Sequence, residues 1–366
     1  MKHVLITAGG TGGHVFPALA VADILRASGW RVSWLGTADK LEAQVVPSAG
    51  FEFHAADQSG LRGKGLIGWL KAPFRLLQQL YRMRRFLAQQ QPDLVLGFGG
   101  YTAGPAGVAA WLQRVPLVIH EQNAAAGLTN KLLAKIATRV LLGFDAAKKQ
   151  LKKGEVVGNP IRAEIARLAG KNLVREGHQA IHMLIVGGSL GAHHLNTVMP
   201  SVLAQWVGMP LVVVHQTGKG KAAEVRETYD ATKNERVQVE VMEFVEDMAN
   251  AYQQADLVIC RAGALTCSEL ACVGRASVLV PYPYAVDNHQ LLNAQALAKV
   301  GAAEVVEQQA FSVERVMDLL MRLTSEPNAI ARMNAAAKSI AQPHAAQSVA
   351  EVCAQVLQVT LEVEQG

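Results

Sequence analysis

The sequence predicts an α/β protein with two doubly wound, Rossmann-like domains that face each other across a cleft. Apolar runs of strand length alternate with helical patterns, which is typical of parallel sheets covered on both faces. The chain has 366 residues, which is too long for one core of ordinary size. Each half also opens with an apolar strand that runs into a glycine-rich turn, so the pattern begins anew midway along the chain.

The first half begins with the predicted strand HVLITA, which leads through a glycine turn into the predicted helix FPALAVADILRASG. Pro17 near the first turn and Gly29 at the end suit the two ends of a helix. Further strands are predicted at RVSWLG, DLVLGFGG, PLVIHEQN and RVLLGF. These strands should form the first parallel sheet.

The second half repeats this order. Its predicted strand IHMLIVGGSLG precedes the helix AHHLNTVMPSVLAQW, and later strands are predicted at LVVVHQTG, VQVEVMEF, ADLVICRAGALT and ASVLVPYP. Regular structure should break at EVVGNPIR, so we predict a first domain over 1–159 and a second over 160–341. The tail HAAQSVAEVCAQVLQV has an amphipathic helical pattern, and the segment from about 342 to 366 is expected to pack back on the first domain.

Composition excludes several classes of protein. Half of the residues are apolar and 18% are charged, which is typical of a folded chain rather than a disordered one. The N-terminus lacks the pattern of a signal peptide, and no apolar run approaches the ~20 residues of a membrane span. We therefore expect a cytoplasmic protein. Its four cysteines lack C-x-x-C spacing and should be reduced thiols: Cys260, Cys267, Cys272 and Cys353.

The first glycine turn covers residues 9–13 and is followed by His14. Glycines at a strand-to-helix turn let backbone N–H groups approach an anion or a sugar closely. Val15 stands where the dinucleotide fingerprint needs a third glycine or alanine, so a dinucleotide oxidoreductase is weakly supported. A tight turn without a ligand remains the alternative.

Two further glycine turns lie in the second half. Residues 187–191, with the Ser189 hydroxyl, suit a diphosphate, although a structural turn explains them as well. In CRAGALTCSE, Gly263 precedes a helix whose first N–H groups suit phosphate. Glu269 in that helix has the chemistry to hold vicinal ribose hydroxyls, while a carboxylate stabilised by the helix dipole is the alternative.

Polar side chains cluster at two other places. Residues 287–290 suit sugar hydroxyls, or cap a helix. Residues 120–123 follow a strand, where active-site groups of parallel sheets collect. No D-x-D pair, the usual metal clamp on a nucleotide-sugar diphosphate, occurs in the sequence. We therefore expect no metal site, with phosphate charge met by helix ends and Arg162.

Basic residues concentrate in one segment. Residues 58–92 contain seven basic residues and no acidic residue, whereas the whole chain carries only +5. Its helical pattern separates apolar from basic residues, which is typical of helices on anionic lipid. We expect Pro73 to break or bend its first turn. A helix packed on the sheet with a solvated basic face is the alternative, and nucleic acid fits poorly because no reader motif is present. The candidate membrane contacts are Trp69, Lys71, Phe74, Arg75, Arg82 and Arg85.

Seven motifs, in order along the whole chain, together resemble the MurG glycosyltransferases of bacterial peptidoglycan synthesis. They are GGTGGHVFPALA, GFGGYTAGP, HEQNAAAGLTNK, VVGNPIR, VGGSLGA, HQTGKG and CRAGALTCSE. The resemblance implies a two-domain GT-B fold. It also implies inverting transfer of GlcNAc from UDP-GlcNAc to the C4 hydroxyl of MurNAc in lipid I (undecaprenyl-diphospho-MurNAc-pentapeptide), which gives β-1,4-linked lipid II.

The resemblance further implies a peripheral enzyme on the cytoplasmic face of the inner membrane, without a cofactor. Other enzymes of cell-wall synthesis are candidate partners. Two alternatives remain: a GT-B enzyme with another acceptor, and a non-catalytic scaffold that binds a nucleotide sugar. The GT-B enzyme with another acceptor would share the fold and differ at the residues that contact the sugar, which are expected to be Asn123 and Gln290.

The family's substrate-binding positions map onto both halves of the chain. By resemblance, Glu269 holds the ribose, and Phe244 and Val245 lie by the uracil. Ser189 and the helix start meet the diphosphate, while Gln290 and Asn123 bind GlcNAc hydroxyls. The full set is Thr11, Gly12, Gly13, Asn123, Arg162, Ser189, Phe244, Val245, Ala264, Leu265, Thr266, Cys267, Ser268, Glu269 and Gln290.

The reaction also needs a base near the acceptor hydroxyl. His14 is the preferred candidate, with Glu121 and His120 as rivals. Leu190 departs from the glutamine that the family often has in this turn.

Overall fold

The computed structural model describes residues 1–56, 66–171, 180–188 and 191–361, with the backbone alone for 66–76. These residues divide into two units, Met1–Arg162 with His344–Gly366 and Ala163–Pro343. Each unit is built around a parallel sheet with buried central strands.

The sheet of the first unit has seven described strands, all parallel. They are β1 (His3–Ala8), β2 (Arg31–Thr37), β3 (Glu52–Ala56), β4 (Leu94–Gly99), β5 (Leu117–Glu121), β6 (Arg139–Leu142) and β7 (Glu155–Val156). Their spatial order is β3-β2-β1-β4-β5-β6-β7. The order of winding reverses between β1 and β4, so the loops after these strands lie side by side at the edge where such sheets bind ligands.

Helices cover this sheet. They are α1 (Gly12–Ala27), α2 (Leu41–Ser48), α3 (Leu66–Gln90), α4 (Ala103–Leu112) and α5 (Leu128–Leu133). α1 begins before the predicted FPALA segment, so Pro17 lies inside it rather than at its first turn. The helix lacks one backbone donor there, and its buried face, including Val15 and Leu25, packs in the core and holds it.

α3 is one helix through Pro73, so of the break or bend predicted there the break does not occur. Its later turns pack on the core through the buried Met83 and Leu87. Tertiary packing of this kind outweighs a local break in the helical pattern.

The second unit contains six described strands, again all parallel. They are β8 (Ile181–Val186), β9 (Leu211–Gln216), β10 (Val237–Met242), β11 (Leu257–Cys260), β12 (Ala276–Leu279) and β13 (Ala303–Val305). The spatial order β10-β9-β8-β11-β12-β13 reverses between β8 and β11. The loops after these two strands are therefore neighbours, as they are after β1 and β4.

The helices of the second unit complete the same architecture. They are α6 (Ala163–Ala166), α7 (His193–Ala204), α8 (Ala222–Ala231), α9 (Met248–Gln254), α10 (Ala264–Val273), α11 (His289–Ala298), α12 (Val313–Ser325) and α13 (Ala329–Lys338). The last helix, α14 (Ala345–Val356), belongs to the first unit, where Val349 and Cys353 join the core beside α1. The predicted class of two doubly wound α/β domains is confirmed.

Within the described residues, no helix is both long and apolar enough to cross a membrane.

Candidate active site

The first glycine turn, residues 9–13, is held in place by the buried side chain of Glu42. Its carboxylate accepts hydrogen bonds from the Gly10 N–H at 3.1 Å and the Thr37 N–H at 3.0 Å. Glu42 is fully buried, and a Cβ at Gly9 would collide with its carboxylate. The turn therefore needs glycine and has a fixed shape. Sequence reasoning missed Glu42, because nothing in the pattern distinguishes it from an exposed charge on α2.

His14 lies in the first turn of α1, beside the loop that follows β4. Its Nδ1 is 3.2 Å from the Gly9 carbonyl oxygen, and a carbonyl only accepts, so Nδ1 donates and Nε2 carries the lone pair of the neutral ring. A Cβ at Gly99 would lie 3.2 Å from Nε2, and one at Gly100 would lie 2.6 Å from the Gly9 oxygen. Both glycines have φ near +90°, which lets the two loops meet.

Tyr101 follows these glycines and is 65% exposed. It lies in the quoted motif GFGGYTAGP, yet sequence reasoning assigned it no role. An exposed aromatic ring directly after a loop that contacts His14 is a candidate substrate contact.

Glu121 is the centre of a hydrogen-bond network at the end of β5. One carboxylate oxygen accepts from the backbone and side-chain nitrogens of Asn123, at 3.0 and 3.2 Å. The other accepts from the Gly127 N–H at 3.0 Å and Asn130 Nδ2 at 2.8 Å. Glu121 is 2% exposed. Its evident effect is to orient Asn123 and close the loop.

His120 points into the core of the first unit. Its Nε2 donates to the Gly158 carbonyl oxygen at 2.9 Å, and Nδ1 accepts from Gln122 Nε2 at 3.3 Å. Burial lowers the pKa of His120 to about 4, so the ring is neutral near pH 7. Asn159 donates to the Gln122 carbonyl oxygen at 3.0 Å. Residues 158 and 159 of the VVGNPIR motif thus support residues 120–123, and Arg162 lies half-buried at the end of this unit.

In the second unit, Gln216 ties the turn after β8 to the loop after β10. Its amide accepts from the Gly188 N–H at 3.0 Å and donates to the carbonyl oxygens of Gly188 at 3.1 Å and Glu243 at 2.6 Å. Glu243 directly precedes Phe244 and Val245. Ser189 and Leu190 lie outside the described residues. Gln216 belongs to the HQTGKG motif but had no predicted role, because its partners are distant in sequence.

Phe244 and Val245 border a cavity of about 450 Å³ that runs along one face of β8, β9 and β10. Phe244 is 47% exposed, and α9 forms another wall through Asn250 and Ala251. A half-exposed aromatic ring that lines a largely apolar cavity suits the stacking of a planar ring.

α10 places the predicted diphosphate and ribose contacts on one element. Gly263 precedes it in an extended conformation, and Leu265 and Thr266 are partly exposed in its first turn. Glu269 is 6% exposed, and its Oε2 accepts from the Tyr252 hydroxyl at 3.1 Å.

Of the remaining predicted residues of α10, Ala264 and Cys267 are buried and Ser268 is partly exposed. Ala264 is buried, and the Ser268 hydroxyl donates to the Ala264 carbonyl oxygen at 3.0 Å. Cys267 is fully buried, and burial raises its pKa well above that of an ordinary thiol. Cys267 and Ser268 therefore contribute chiefly through the backbone that they hold.

Gln290 is oriented by the loop that precedes it. Its Oε1 accepts from the Tyr282 N–H at 2.9 Å. Asp287 and Asn288 both have left-handed φ, 52° and 51°, which strains a residue other than glycine. Arg261 supports the loop by donating to the Val280 and Pro281 carbonyl oxygens at 3.1 and 3.3 Å. The strain and its support indicate a loop whose shape serves a function.

The predicted membrane contacts lie on α3. For Trp69, Lys71, Phe74 and Arg75 the structure describes the backbone alone, whereas Arg82 and Arg85 are exposed. Leu77 and Tyr81, between these positions, are 64% and 68% exposed. Gln113 donates to the Arg84 carbonyl oxygen at 2.9 Å, so the end of α4 with its half-exposed Trp111 lies against α3. The sequence analysis did not include Trp111 among the candidate membrane contacts, because its position in the sequence is typical of a core residue of α4.

No group of three or more His, Cys, Asp or Glu side chains in the described ranges is arranged to hold a metal ion.

Comparison with known proteins identifies the family to which the chain belongs. The N-terminal domain of glycosyltransferase family 28 matches residues 4–142, and its C-terminal domain matches residues 182–350. Two relatives bear the name UDP-N-acetylglucosamine–N-acetylmuramyl-(pentapeptide) pyrophosphoryl-undecaprenol N-acetylglucosamine transferase. The one from Aeromonas hydrophila is 48% identical over 96% of both chains. The one from Shewanella amazonensis is 49% identical over 96% of this chain and 97% of its own.

A solved structure agrees with these relatives. The crystal structure of Acinetobacter baumannii MurG superposes with a TM-score of 0.84 at 38% identity, covering 97% of this chain and 100% of that one. The resemblance inferred from the motifs is thereby confirmed. The chain belongs to glycosyltransferase family 28, together with these N-acetylglucosamine transferases.

Proposed function

We propose that the protein transfers GlcNAc from UDP-GlcNAc to the C4 hydroxyl of MurNAc in lipid I, forming lipid II for peptidoglycan synthesis. The observation that carries this proposal is nearly full-length identity of 48–49% with transferases named for these substrates. The fixed loops in both units support it, because they present the expected residue types at the ligand-binding edges of their sheets.

The second unit binds the donor. Phe244 and Val245, which line the cavity, suit the uracil, and Glu269 suits the ribose hydroxyls. The N–H groups that open α10 and the turn after β8 meet the diphosphate, and they stabilise the charge of the departing UDP. The oriented amide of Gln290 contacts the sugar.

The first unit supplies the acceptor groups and the base. His14 takes the proton of the C4 hydroxyl on Nε2 as that oxygen bonds to C1 of GlcNAc and the bond from C1 to UDP breaks, which inverts the configuration at C1. Glu121 and His120 fit this role less well, because their hydrogen bonds hold the loop at residues 120–123. Asn123, which Glu121 orients, contacts sugar hydroxyls. Thr11, Gly12 and Gly13 line the substrate-binding site.

The enzyme acts at the cytoplasmic face of the inner membrane as a peripheral protein. Exposed apolar side chains at Leu77 and Tyr81 beside the cations of Arg82 and Arg85 support this, because such a surface combines apolar insertion with attraction to anionic lipid. Neighbouring enzymes of cell-wall synthesis are candidate partners there.

The first test measures UDP release and transfer of labelled GlcNAc to a lipid I analogue, with and without EDTA. We expect a β-1,4-linked product in both conditions, with no UDP release when the acceptor is omitted. Binding of UDP-GlcNAc without transfer would instead favour another acceptor or a nucleotide-sugar-binding scaffold. Loss of transfer in EDTA would contradict a metal-free mechanism.

A further inference from the structure

We propose that Tyr252 is a positioning residue for ribose recognition, because its buried hydroxyl holds the Glu269 carboxylate in the orientation that accepts ribose hydroxyls. The phenol oxygen is 3.1 Å from Glu269 Oε2, and the two side chains are 1% and 6% exposed. The inference rests on the proposed binding of UDP-GlcNAc, and it adds a residue that does not itself touch the substrate.

The backbone of Tyr252 is itself held by the end of the helix that carries Glu269. α10 ends at Val273, its C-cap Gly274 has φ 73°, and the next residue is the fully buried Arg275. Its guanidinium donates through Nε to the Tyr252 carbonyl oxygen and through one terminal nitrogen to that of Gln253, both at 2.8 Å. The end of α10 therefore holds the last turn of α9, and α9 holds the carboxylate in the middle of α10.

The hydroxyl does more than fill space. Phenylalanine would pack in the same volume, whereas a buried hydroxyl is costly unless it is hydrogen-bonded. Here it donates to a carboxylate, and hydrogen bonds to charged groups are stronger than neutral ones. A carboxylate on a flexible side chain loses rotamer freedom when it binds, so holding Glu269 in advance favours the bound geometry.

α9 also connects two predicted contacts of the nucleoside. Its N-cap is Asp247, whose Oδ1 accepts from the Asn250 N–H at 2.9 Å. Asp247 lies two residues after Val245, at the predicted uracil site, and Tyr252 lies in the last turn of α9. This short helix thus ties the loop for the base to the carboxylate for the ribose.

The test is the Tyr252→Phe variant, with binding measured by calorimetry on the full chain. The probes are UDP and 2′,3′-dideoxyuridine diphosphate, which lacks both hydroxyls that Glu269 would bind. We expect the variant to weaken UDP binding by about tenfold, as for a lost hydrogen bond to a charged group. Binding of the dideoxy probe should change by less than about twofold.

Tyr229→Phe is the matched control. Tyr229 is a buried tyrosine of the same unit whose hydroxyl bonds to His215 Nδ1 at 2.9 Å. It loses one buried hydrogen bond without touching Glu269, so UDP binding should be unchanged even if its melting temperature falls. Melting curves of both variants establish that each is folded.

The outcomes separate this inference from the proposed function. Equal weakening of both probes by Tyr252→Phe would show a general structural role and overturn the inference. Unchanged UDP binding by Tyr252→Phe or by Glu269→Gln would overturn it as well. Ribose-specific weakening without transfer to lipid I would support the inference while the proposed acceptor fails.

Discussion

Buried polar side chains shape the loops of this protein from within. Glu42 holds the first glycine turn, Glu121 holds the loop after β5, and Gln216 joins the loops after β8 and β10. Glu42 and Gln216 bond to backbone groups that are distant in sequence, whereas Glu121 bonds to groups of its own loop. A buried polar group needs a hydrogen-bond partner. These contacts therefore fix the shape of the loops, and the loss of any one partner would be costly.

His14→Ala tests the proposed base. We expect kcat for GlcNAc transfer to fall by a factor on the order of 10² to 10⁴, the usual contribution of general base catalysis. The control is His344→Ala, an exposed histidine at the N-cap of α14, which should transfer at the normal rate. A loss of less than about threefold in folded His14→Ala would remove His14 from the role.

The sequence singled out Glu121 and Glu269 as candidate site residues but not Glu42, Gln216 or Tyr252. Glu121 ends a strand, and Glu269 lies in a helix that follows a strand and a glycine turn, so position along the chain already indicates a site. The roles of the others depend on partners that only tertiary structure brings close. Position along the chain can also suggest a different role from the one that the contacts indicate. Glu121 was a candidate base by its position, whereas its hydrogen bonds indicate a group that orients the loop.

At the scale of elements, the long central strands were predictable and the short edge strands were not. β1, β4 and β5 are buried throughout, so they appear in the sequence as continuous apolar runs. β3, β7 and β13 were missed, because β3 is partly exposed and the other two span two and three residues. A partly exposed strand, or one of two or three residues, has too few regularly spaced apolar residues to be told from a loop.

The exposed basic residues of α3 are expected to bind anionic lipid. Replacing Arg82 and Arg85 with glutamate should weaken binding to vesicles containing anionic lipid by at least about tenfold, since each basic residue near such a surface contributes about 1 kcal/mol. Sedimentation with vesicles at low salt measures this, and added salt should reduce the difference. Transfer to a short-chain, water-soluble acceptor should be unchanged.

The control for α3 reverses two exposed arginines of the second unit, Arg167→Glu and Arg315→Glu. It has the same net charge as the α3 variant and should bind vesicles like the unaltered protein. Equal weakening by both pairs would mean that net charge, rather than the surface of α3, governs binding.

At the scale of the whole molecule, two buried neutral histidines predict that both units lose stability in acid. Burial lowers the pKa of His120 in the first unit and of His215 in the second from 6.5 to about 4. The unfolded chain therefore takes up protons at these sites first as pH falls. Their full contribution to the free energy of unfolding holds above about pH 6.5 and is lost toward pH 4, by up to about 3 kcal/mol for each histidine.

Denaturant unfolding at pH 7, 5.5 and 4.5 measures this loss. His120→Gln and His215→Gln remove one titrating ring each, so each variant should lose less stability over this range than the unaltered protein. Curves that stay parallel to that of the unaltered protein would show that these rings do not titrate as their burial implies.

The position of α14 has a consequence for synthesis of the protein. Domains emerging from a ribosome commonly fold one after another, beginning with the first. Here Val349 and Cys353 belong to the core of the first unit, yet they are translated after all of Ala163–Pro343. The nascent first unit therefore keeps the surface of α1 uncovered while the second unit is made, and its core is complete only once α14 has been synthesised.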